Sequence, residues 1–416
     1  MCGIFGYVMK VPQQMKILDS CVDDLSARGP DDRGRMQWDW SGGEMTQVGL
    51  GHRRLAIFDL SDAGRQPMGG RRGLQIVFNG EVFNWPELRT ELESIGHKFN
   101  TRTDTEVVLA AYAEWGPSCV ERFNGMWAFA IFDPEGVGGD RGLFLCRDRL
   151  GIKPLYYIET DEGICFASEI RPLFRFLGRQ PVVCPAKLAD MVVLQRQDWG
   201  GETVYAGVKE LRGGNWAWLN PYSGRLMIRR YWDLPEHEEP PRDDEAVLDE
   251  FEELFGDAVR LRLRADVDVA LTLSGGVDSS CVAVAAGRGD RSVAAFTSTF
   301  PGRPEIDESG FAREVCKTLG LEHVPVAPGL CDLASEVPSE LARQELPITG
   351  LSSFVHAAVL GAVRDYGMRV CVCGQGADEL FLGYERYFAA WMAAAGGARE
   401  KVRCWWQARK HSRLSG

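Results

Sequence analysis

The amino-terminal half of the chain carries short apolar runs that alternate with polar positions and are separated by glycine turns. Such runs predict β-strands, here at residues 126–133, 142–167 and 205–232. Residues 15–27 have the spacing of an amphipathic helix, and residues 51–58, with the sequence GHRRLAIF, predict one further strand. The first half is therefore expected to be built largely from sheet.

The carboxyl-terminal half shows a different pattern, in which apolar runs alternate with helical stretches. Residues 244–264 place apolar side chains at helical spacing, which predicts a helix that packs on a sheet. Buried strands are predicted at 267–273, 293–299, 323–327 and 368–373. This alternation predicts a parallel, doubly wound sheet whose ligands bind at the carboxyl ends of its strands.

The two patterns meet at an acidic segment with three prolines, residues 233–242, which has the composition of a linker. A chain of 416 residues is too long for one ordinary core, so two domains are expected. We predict an amino-terminal domain over residues 1–235 and a second domain over residues 236–416. The expected fold class combines α+β in the first domain with α/β in the second.

The composition is that of a soluble globular protein, with 45% apolar and 25% charged residues. A net charge of −12 argues against nucleic acid as a general partner. The twelve cysteines follow no paired framework, which indicates reduced thiols and a cytoplasmic location. No apolar run approaches the roughly twenty residues that span a bilayer. We therefore expect a cytoplasmic enzyme that acts on small molecules.

A strand, a glycine turn and a small-residue helix follow one another in the sequence LSGGVDSS at 273–280. Such a turn directs backbone N–H groups and the positive end of the helix dipole at one point, where a phosphate would bind. Asp278 would be repelled by a phosphate unless a divalent cation lay between them. The turn resembles the pyrophosphate loop of the N-type ATP pyrophosphatases, and this resemblance implies that ATP binds at Leu273, Ser274, Gly275, Gly276, Val277, Asp278, Ser279 and Ser280.

A second glycine turn follows the last predicted strand and contains Gly374, Gln375 and the acid Asp378. In a parallel sheet it would lie near the first turn, so Gly374 and Gln375 are added to the predicted ATP-binding residues. Asp278 and Asp378 could together hold Mg²⁺ on the pyrophosphate. The alternative for Asp378 is a capped helix start without a metal.

The chain begins with Met1 and Cys2, and cysteine is small enough for the initiator methionine to be removed. The α-amine then exposed could act as a general base toward the adjacent thiol. Further along, Asn79 and Gly80 stand at a strand end, where a side-chain amide and a backbone N–H could stabilise an oxyanion. Asp104 falls in the first turn of a predicted helix, where it could equally be a helix cap.

Seven segments occur in the order found in class II glutamine amidotransferases: MCGIFGY, RGPD, HRRLAIFD, FNGEVFN, the Asp of TRTDTEVV, FNGMWAFAIFD and RDRLGIKPLYY. With SGGVDSS after them, the chain resembles the glutamine-hydrolysing asparagine synthetase family. The resemblance implies an N-terminal nucleophile αββα sandwich, followed by an ATP pyrophosphatase domain with a doubly wound parallel sheet. It extends from Cys2 to about Tyr387.

The resemblance also implies roles for individual residues. Cys2 would attack the side-chain amide of glutamine, with Asn79 and Gly80 in the oxyanion hole. Arg54 would bind the glutamine α-carboxylate, and Glu81 and Asp104 would hold its α-ammonium. ATP with Mg²⁺ would activate the β-carboxylate of aspartate, and ammonia from glutamine would then form asparagine. A homodimer is a further implication of the resemblance.

The chain departs from the family in two respects. Gln375 stands where these synthetases often carry a glutamate close to the ammonia and the acyl-adenylate. The sequence also ends soon after Tyr387, without the later helical region of the family, so either the chain is partial, or a partner chain supplies that region, or a minimal version works differently. Two alternatives therefore stay open: amidation or cyclisation of another carboxylate, such as a peptide or natural product, and a catalytically incomplete nucleotide-binding subunit.

Overall fold

The computed structural model describes residues 1–40, 43–138, 140–194, 196, 200–222, 224–235, 243–289, 293–329, 333–348, 350–381, 383–384, 386–394 and 396–411. They form two compact units. The first contains residues 1–254, 264–268 and 329–356, and the second contains 255–263, 269–328 and 357–416. Residues 236–242 of the predicted linker lie outside the described residues, and the predicted domain boundary at 235 stays a prediction.

The described residues of the first unit form twelve strands. They are β1 Gly3–Met9, β2 Asp32–Asp39, β3 Gln47–Arg54, β4 Met68–Gly69, β5 Gln75–Val82, β6 Gly125–Asp133, β7 Gly142–Arg147, β8 Tyr156–Thr160, β9 Gly163–Ala167, β10 Lys209–Glu210, β11 Asn215–Leu219 and β12 Leu226–Arg230. Its helices within the first 235 residues are α1 Met15–Asp24, α2 Trp85–Ser94, α3 Asp104–Trp115, α4 Arg171–Leu177 and α5 Pro185–Leu194. Short 3-10 helices occur at Asp62–Gly64, Arg71–Gly73 and Gly116–Glu121.

These strands form two antiparallel six-stranded sheets, with the orders β10-β8-β9-β1-β3-β2 and β12-β11-β7-β6-β5-β4. Alternation along β1 shows how the layers arise. Ile4 and Val8 pack among residues of both sheets, whereas Phe5 and Tyr7 on the opposite face pack against α1 and α4. The outer face of the second sheet is covered by α2 and α3. The layer order is thus helix, sheet, sheet, helix, which confirms the predicted αββα sandwich.

The rest of the chain contains eight helices and four strands among the described residues. They are α6 Asp244–Arg262, β13 Val269–Thr272, α7 Val277–Gly287, β14 Ala294–Ser298, α8 Ser309–Leu319, β15 Glu322–Val326, α9 Leu333–Gln344, α10 Ser352–Asp365, β16 Val370–Val372, α11 Ala377–Phe381, α12 Arg386–Ala394 and α13 Ala398–His411. Part of α6, all of α9 and the start of α10 belong to the first unit. No helix in the described part of the chain is long and apolar enough to cross a membrane.

The second unit is organised on one parallel sheet of order β15-β14-β13-β16. After β13 the chain adds β14 and β15 on one side of β13, and it then adds β16 on the opposite side of β13. The gap between β13 and β16 is therefore a topological switch point, where the loops that leave the two strands lie side by side. The predicted parallel sheet is confirmed, and its four strands fall within the predicted runs or one residue from them.

One predicted strand is displaced by four residues toward the amino terminus, since β3 extends from Gln47 to Arg54. Residues 51–58 were predicted as a continuous strand, but β3 ends at Arg54. Beyond it the Asp31 carboxylate accepts a hydrogen bond from Ala56 N at 2.8 Å, and the Arg54 guanidinium bonds to the carbonyl oxygens of Phe58 and Ser61 at 3.2 and 2.7 Å. These side-chain contacts replace strand pairing, and the prediction was wrong because they cannot be read from apolar spacing.

Candidate active sites

Cys2 lies immediately before β1 and is held on two sides. Its sulfur accepts a hydrogen bond from Leu55 N at 3.4 Å and lies 3.6 Å from Leu55 O. Its carbonyl oxygen accepts a hydrogen bond from Arg28 Nε at 2.9 Å, and Arg28 also pairs with Glu169 at 3.4 Å. The thiol is therefore fixed between β1, the chain after β3, and the RGPD turn.

The α-amine that adjoins Cys2 here is that of Met1. Burial lowers the pKa of this amine to about 6, and Arg28 and Lys153 act in the same direction. Burial raises the pKa of the Cys2 thiol, although Leu55 N–H, the amine and Lys153 oppose this rise. With Met1 in place, the environment thus keeps the Cys2 thiol protonated and favours the neutral form of the Met1 amine.

Asn79 and Gly80 lie in β5 directly opposite Ala128 and Trp127 of β6. Asn79 is 1% exposed, and within the described chain both polar atoms of its amide lack a hydrogen-bond partner. Because buried polar atoms are nearly always paired, this amide is poised to receive a ligand. A Cβ on Gly80 would lie 2.3 Å from Met126 O, so only glycine fits there.

Glu81 and Asp104 are two buried acids, 7% and 5% exposed. Asp104 opens α3, where Thr103 is the N-cap, and its Oδ2 accepts a hydrogen bond from Val82 N at 3.0 Å. Burial raises the pKa of Asp104 to about 7, and Glu81 adds to the rise. Burial also raises the pKa of Glu81. Neither forms an ion pair with a described residue, so a ligand ammonium would satisfy both.

Arg54, the predicted carboxylate ligand, is buried at 6% exposure at the end of β3. Its guanidinium donates to the carbonyl oxygens of Phe58, Asp59 and Ser61. The side chain therefore also positions the loop after β3. Its binding of the glutamine carboxylate stays a prediction.

Sequence reasoning assigned no role to three residues that the structure places in this site. Arg28 donates a hydrogen bond to the Cys2 carbonyl, and Asp31 accepts one from Ala56 N. The third is Lys153, whose charge acts on Cys2 and Glu81. All three occur in motifs that carried the family resemblance. The sequence signal that could have identified these residues is a charged side chain within a motif that is otherwise apolar or forms a turn.

In the second unit, the segment 273–280 forms the predicted turn between β13 and α7. Ser274 and Ser279 hydroxyls are 3.0 Å apart, and Ser274 Oγ accepts a hydrogen bond from Gly276 N at 3.2 Å. Helix α7 starts at Val277 without a side-chain cap, which leaves its first N–H groups available to an anion. Asp278 lies in this first turn.

Two glycines bring the neighbouring backbones close at this end of the sheet. Gly275 has φ +88°, and a Cβ there would lie 2.6 Å from Ala312 N. A Cβ on Gly374 would lie 3.0 Å from Ser279 N, so the loop after β16 packs on the start of α7. The structure thus brings together the two turns that the sequence assigned to ATP, and Gln375 is exposed in the second turn.

The two acids assigned to Mg²⁺ both lie near the start of a helix, Asp278 in α7 and Asp378 in α11. Among the described residues, no three metal-binding side chains cluster. Mg²⁺ commonly binds one or two carboxylates together with substrate phosphates and water, so this donor set fits a cation that arrives with a nucleotide.

Comparison with known proteins matches each half of the chain to a protein family. The family described as Glutamine amidotransferase domain matches residues 1–232, and the family described as Asparagine synthase matches residues 250–415. A putative glutamine-hydrolysing asparagine synthetase of Methanocaldococcus jannaschii is 31% identical, over 92% of this chain and 76% of its own length.

Two other relatives are longer. Asparagine synthetase [glutamine-hydrolyzing] 3 of Bacillus subtilis is 32% identical over 94% of this chain and 64% of its own length. Amidase chry2 of Gibberella zeae is 31% identical over 94% of this chain and 60% of its own length. The chain thus spans less than two thirds of these relatives. With both domain families matched in order, the chain belongs to the glutamine-hydrolysing asparagine synthetase family.

Proposed function

We propose that this chain is an ATP-dependent amide ligase that takes its nitrogen from glutamine. The observation that carries the proposal is the buried Asn79 amide, which lacks partners among the described residues and lies two positions before Glu81 in β5. Lys153 and Asp104 both act electrostatically on Cys2. A nucleophile, an amide without hydrogen-bond partners and two buried acids without ion pairs among the described residues together match a substrate with a carbonyl and an ammonium group.

In the proposed first reaction, the α-amine exposed by removal of Met1 takes the Cys2 proton and the sulfur attacks the side-chain carbonyl of glutamine. The Asn79 amide and the Gly80 N–H stabilise the oxyanion. Glu81 and Asp104 hold the substrate α-ammonium, and Arg54 its α-carboxylate. Collapse of the tetrahedral intermediate releases ammonia, and water then hydrolyses the thioester to glutamate.

In the proposed second reaction, the turn at 273–280 and the turn with Gly374 and Gln375 bind ATP. The β-carboxylate of aspartate attacks the α-phosphorus, so that pyrophosphate leaves and an acyl-adenylate forms. Ammonia from the first reaction then displaces AMP and gives asparagine. Asp278 and Asp378 would hold Mg²⁺, which neutralises charge on the leaving pyrophosphate when bound. Homodimerisation belongs to the same proposal.

A second candidate keeps both reactions but amidates another carboxylate. Two observations favour it. Relatives named Amidase chry2 and Amidase chyE are 31% and 32% identical to this chain. In addition, Gln375 cannot ionise at neutral pH, so it cannot serve as the base that a glutamate would provide there.

The test is release of AMP and pyrophosphate from MgATP, measured with glutamine or ammonium as the nitrogen source. With aspartate present, wild type is expected to respond to both sources, and Cys2→Ala to ammonium alone. AMP release that depends on another carboxylate but not on aspartate would favour the second candidate. Absence of AMP release with every carboxylate offered would contradict both.

A further inference from the structure

The Lys153 side chain is a buried amine to which the proposed reactions give no role. It is 6% exposed, and in the described portion of the chain its ammonium forms no ion pair and no hydrogen bond. Lysine is rarely buried to this extent without a partner, because desolvation penalises its charged form. Such a residue calls for a specific explanation.

The backbone that carries Lys153 is fixed by two buried charged residues. The Asp148 carboxylate accepts hydrogen bonds from Ile152 N at 2.9 Å and from Lys153 N at 3.0 Å. Arg147 donates from Nε to Lys153 O and from Nη2 to Gly151 O, both at 2.6 Å. The lysine is therefore presented from a rigid loop.

The same carboxylate ties this loop to the strands of the glutaminase site. Asp148 Oδ2 accepts a hydrogen bond from Trp127 N at 3.2 Å, and Asp148 N donates to Trp127 O at 2.8 Å. Trp127 in β6 is the register partner of Gly80 in β5. Asp148 thus anchors the loop that carries Lys153 to β6. The neighbouring strand β5 bears Asn79, Gly80 and Glu81.

The charged and titratable groups that interact with Lys153 are Glu81, Cys2, Arg28, Asp148 and the Met1 amine. Burial lowers the pKa of the Lys153 ammonium, while Glu81 and Cys2 oppose the change. On the Cys2 side, the terminal amine acts with Lys153 in favour of the thiolate, and Asp104 acts against it. The positive charge of Lys153 thus favours the thiolate of Cys2, whereas burial and Asp104 disfavour it.

We propose that Lys153 is a positioning residue of the glutaminase site, whose buried positive charge stabilises the thiolate form of Cys2. The loop anchored by Asp148 holds this charge at a constant place relative to β5. The inference rests on the proposed role of Cys2, but the ionisation of the thiol can be measured without glutamine turnover. Failure of the two ideas is therefore distinguishable.

The test is the pH dependence of Cys2 alkylation by iodoacetamide between pH 7 and 11, followed by mass spectrometry of the amino-terminal peptide. In Lys153→Met we expect the midpoint to rise by about one pH unit, so that alkylation at pH 8 slows about tenfold. Lys153→Arg, which keeps the charge, should stay within about twofold of wild type. Lys10→Met, at a half-exposed lysine that pairs with Glu44, is the matched control and should not change the midpoint.

Thermal melting shows whether each variant is folded. If Lys153→Met does not fold, the neutral but polar Lys153→Gln provides the same comparison. A wild-type midpoint in either folded neutral variant would overturn the proposal. If the alkylation midpoint rises in the Lys153 variant but the wild-type protein does not hydrolyse glutamine, this inference stands and the proposed glutaminase reaction is contradicted.

Discussion

Asp104 offers a quantitative test of how the first site recognises its substrate. Burial holds the pKa of its carboxyl at about 7, and the neighbouring Glu81 contributes to the rise. An α-ammonium that binds beside Asp104 favours the ionised form, so binding must release a proton whenever the free site is protonated. The substitution Asp104→Asn removes this titration and keeps the size of the side chain.

The magnitude follows from the pKa of about 7. Below this value, the affinity for glutamine falls with the ionised fraction of Asp104. Between pH 8 and pH 6 the dissociation constant should therefore increase about tenfold. In Asp104→Asn the affinity at pH 8 should be weaker by a factor on the order of 100, because one partner of a buried charge pair is lost.

The assay is isothermal titration of glutamine into Cys2→Ala, which prevents turnover, from pH 5.5 to 8.5. Repetition in buffers of different ionisation enthalpy measures the number of protons released, about 0.5 per glutamine at pH 7. Asp161→Asn, at an exposed turn between β8 and β9, is the matched control and should behave like the parent.

Two results would refute this reasoning. One is an affinity that does not change between pH 6 and pH 8 in the parent protein. The other is a tenfold change that persists in Asp104→Asn, since the proton would then come from another group.

Two further predictions concern the oxyanion site and the phosphate turn. Asn79→Ala should lower kcat for glutamine hydrolysis by a factor on the order of 100 to 1,000, with little change in thermal stability; unchanged kcat would remove Asn79 from the oxyanion hole. Gly275→Ala should abolish ATP-dependent AMP release, because its φ of +88° and its 2.6 Å approach to Ala312 N leave no room for a methyl group. Gly287→Ala, with no atom within 4 Å of the added Cβ, is the control, and equal activity of the two variants would contradict the prediction.

The sheet architecture could be predicted because each strand obeys a simple periodicity. In β1, alternate side chains face different layers, and β13, β14, β15 and β16 fall within their predicted apolar runs or one residue from them. The segment after Arg54 could not be predicted in this way. Its conformation depends on hydrogen bonds to residues distant in sequence, such as the bond that Ala56 N donates to the Asp31 carboxylate.

The residues of the two sites were predicted where they occur in motifs of recognisable chemistry, as in LSGGVDSS. Lys153 was missed because its significance lies in burial and in the anchoring of its loop, and neither is visible in a linear pattern. The same is true of Arg28, whose hydrogen bond to the Cys2 carbonyl crosses 26 positions of the chain. Long-range polar contacts are what the sequence alone does not specify.

The central claim is that nitrogen passes from glutamine to an ATP-activated carboxylate. Its most direct test is incubation of the protein with glutamine labelled with ¹⁵N in the amide, MgATP and aspartate, followed by mass spectrometry of the products. The account predicts ¹⁵N-asparagine with AMP from wild type, and from Cys2→Ala only when labelled ammonium replaces glutamine. Labelled free ammonia as the sole nitrogen product, formed equally by Cys2→Ala, would contradict it.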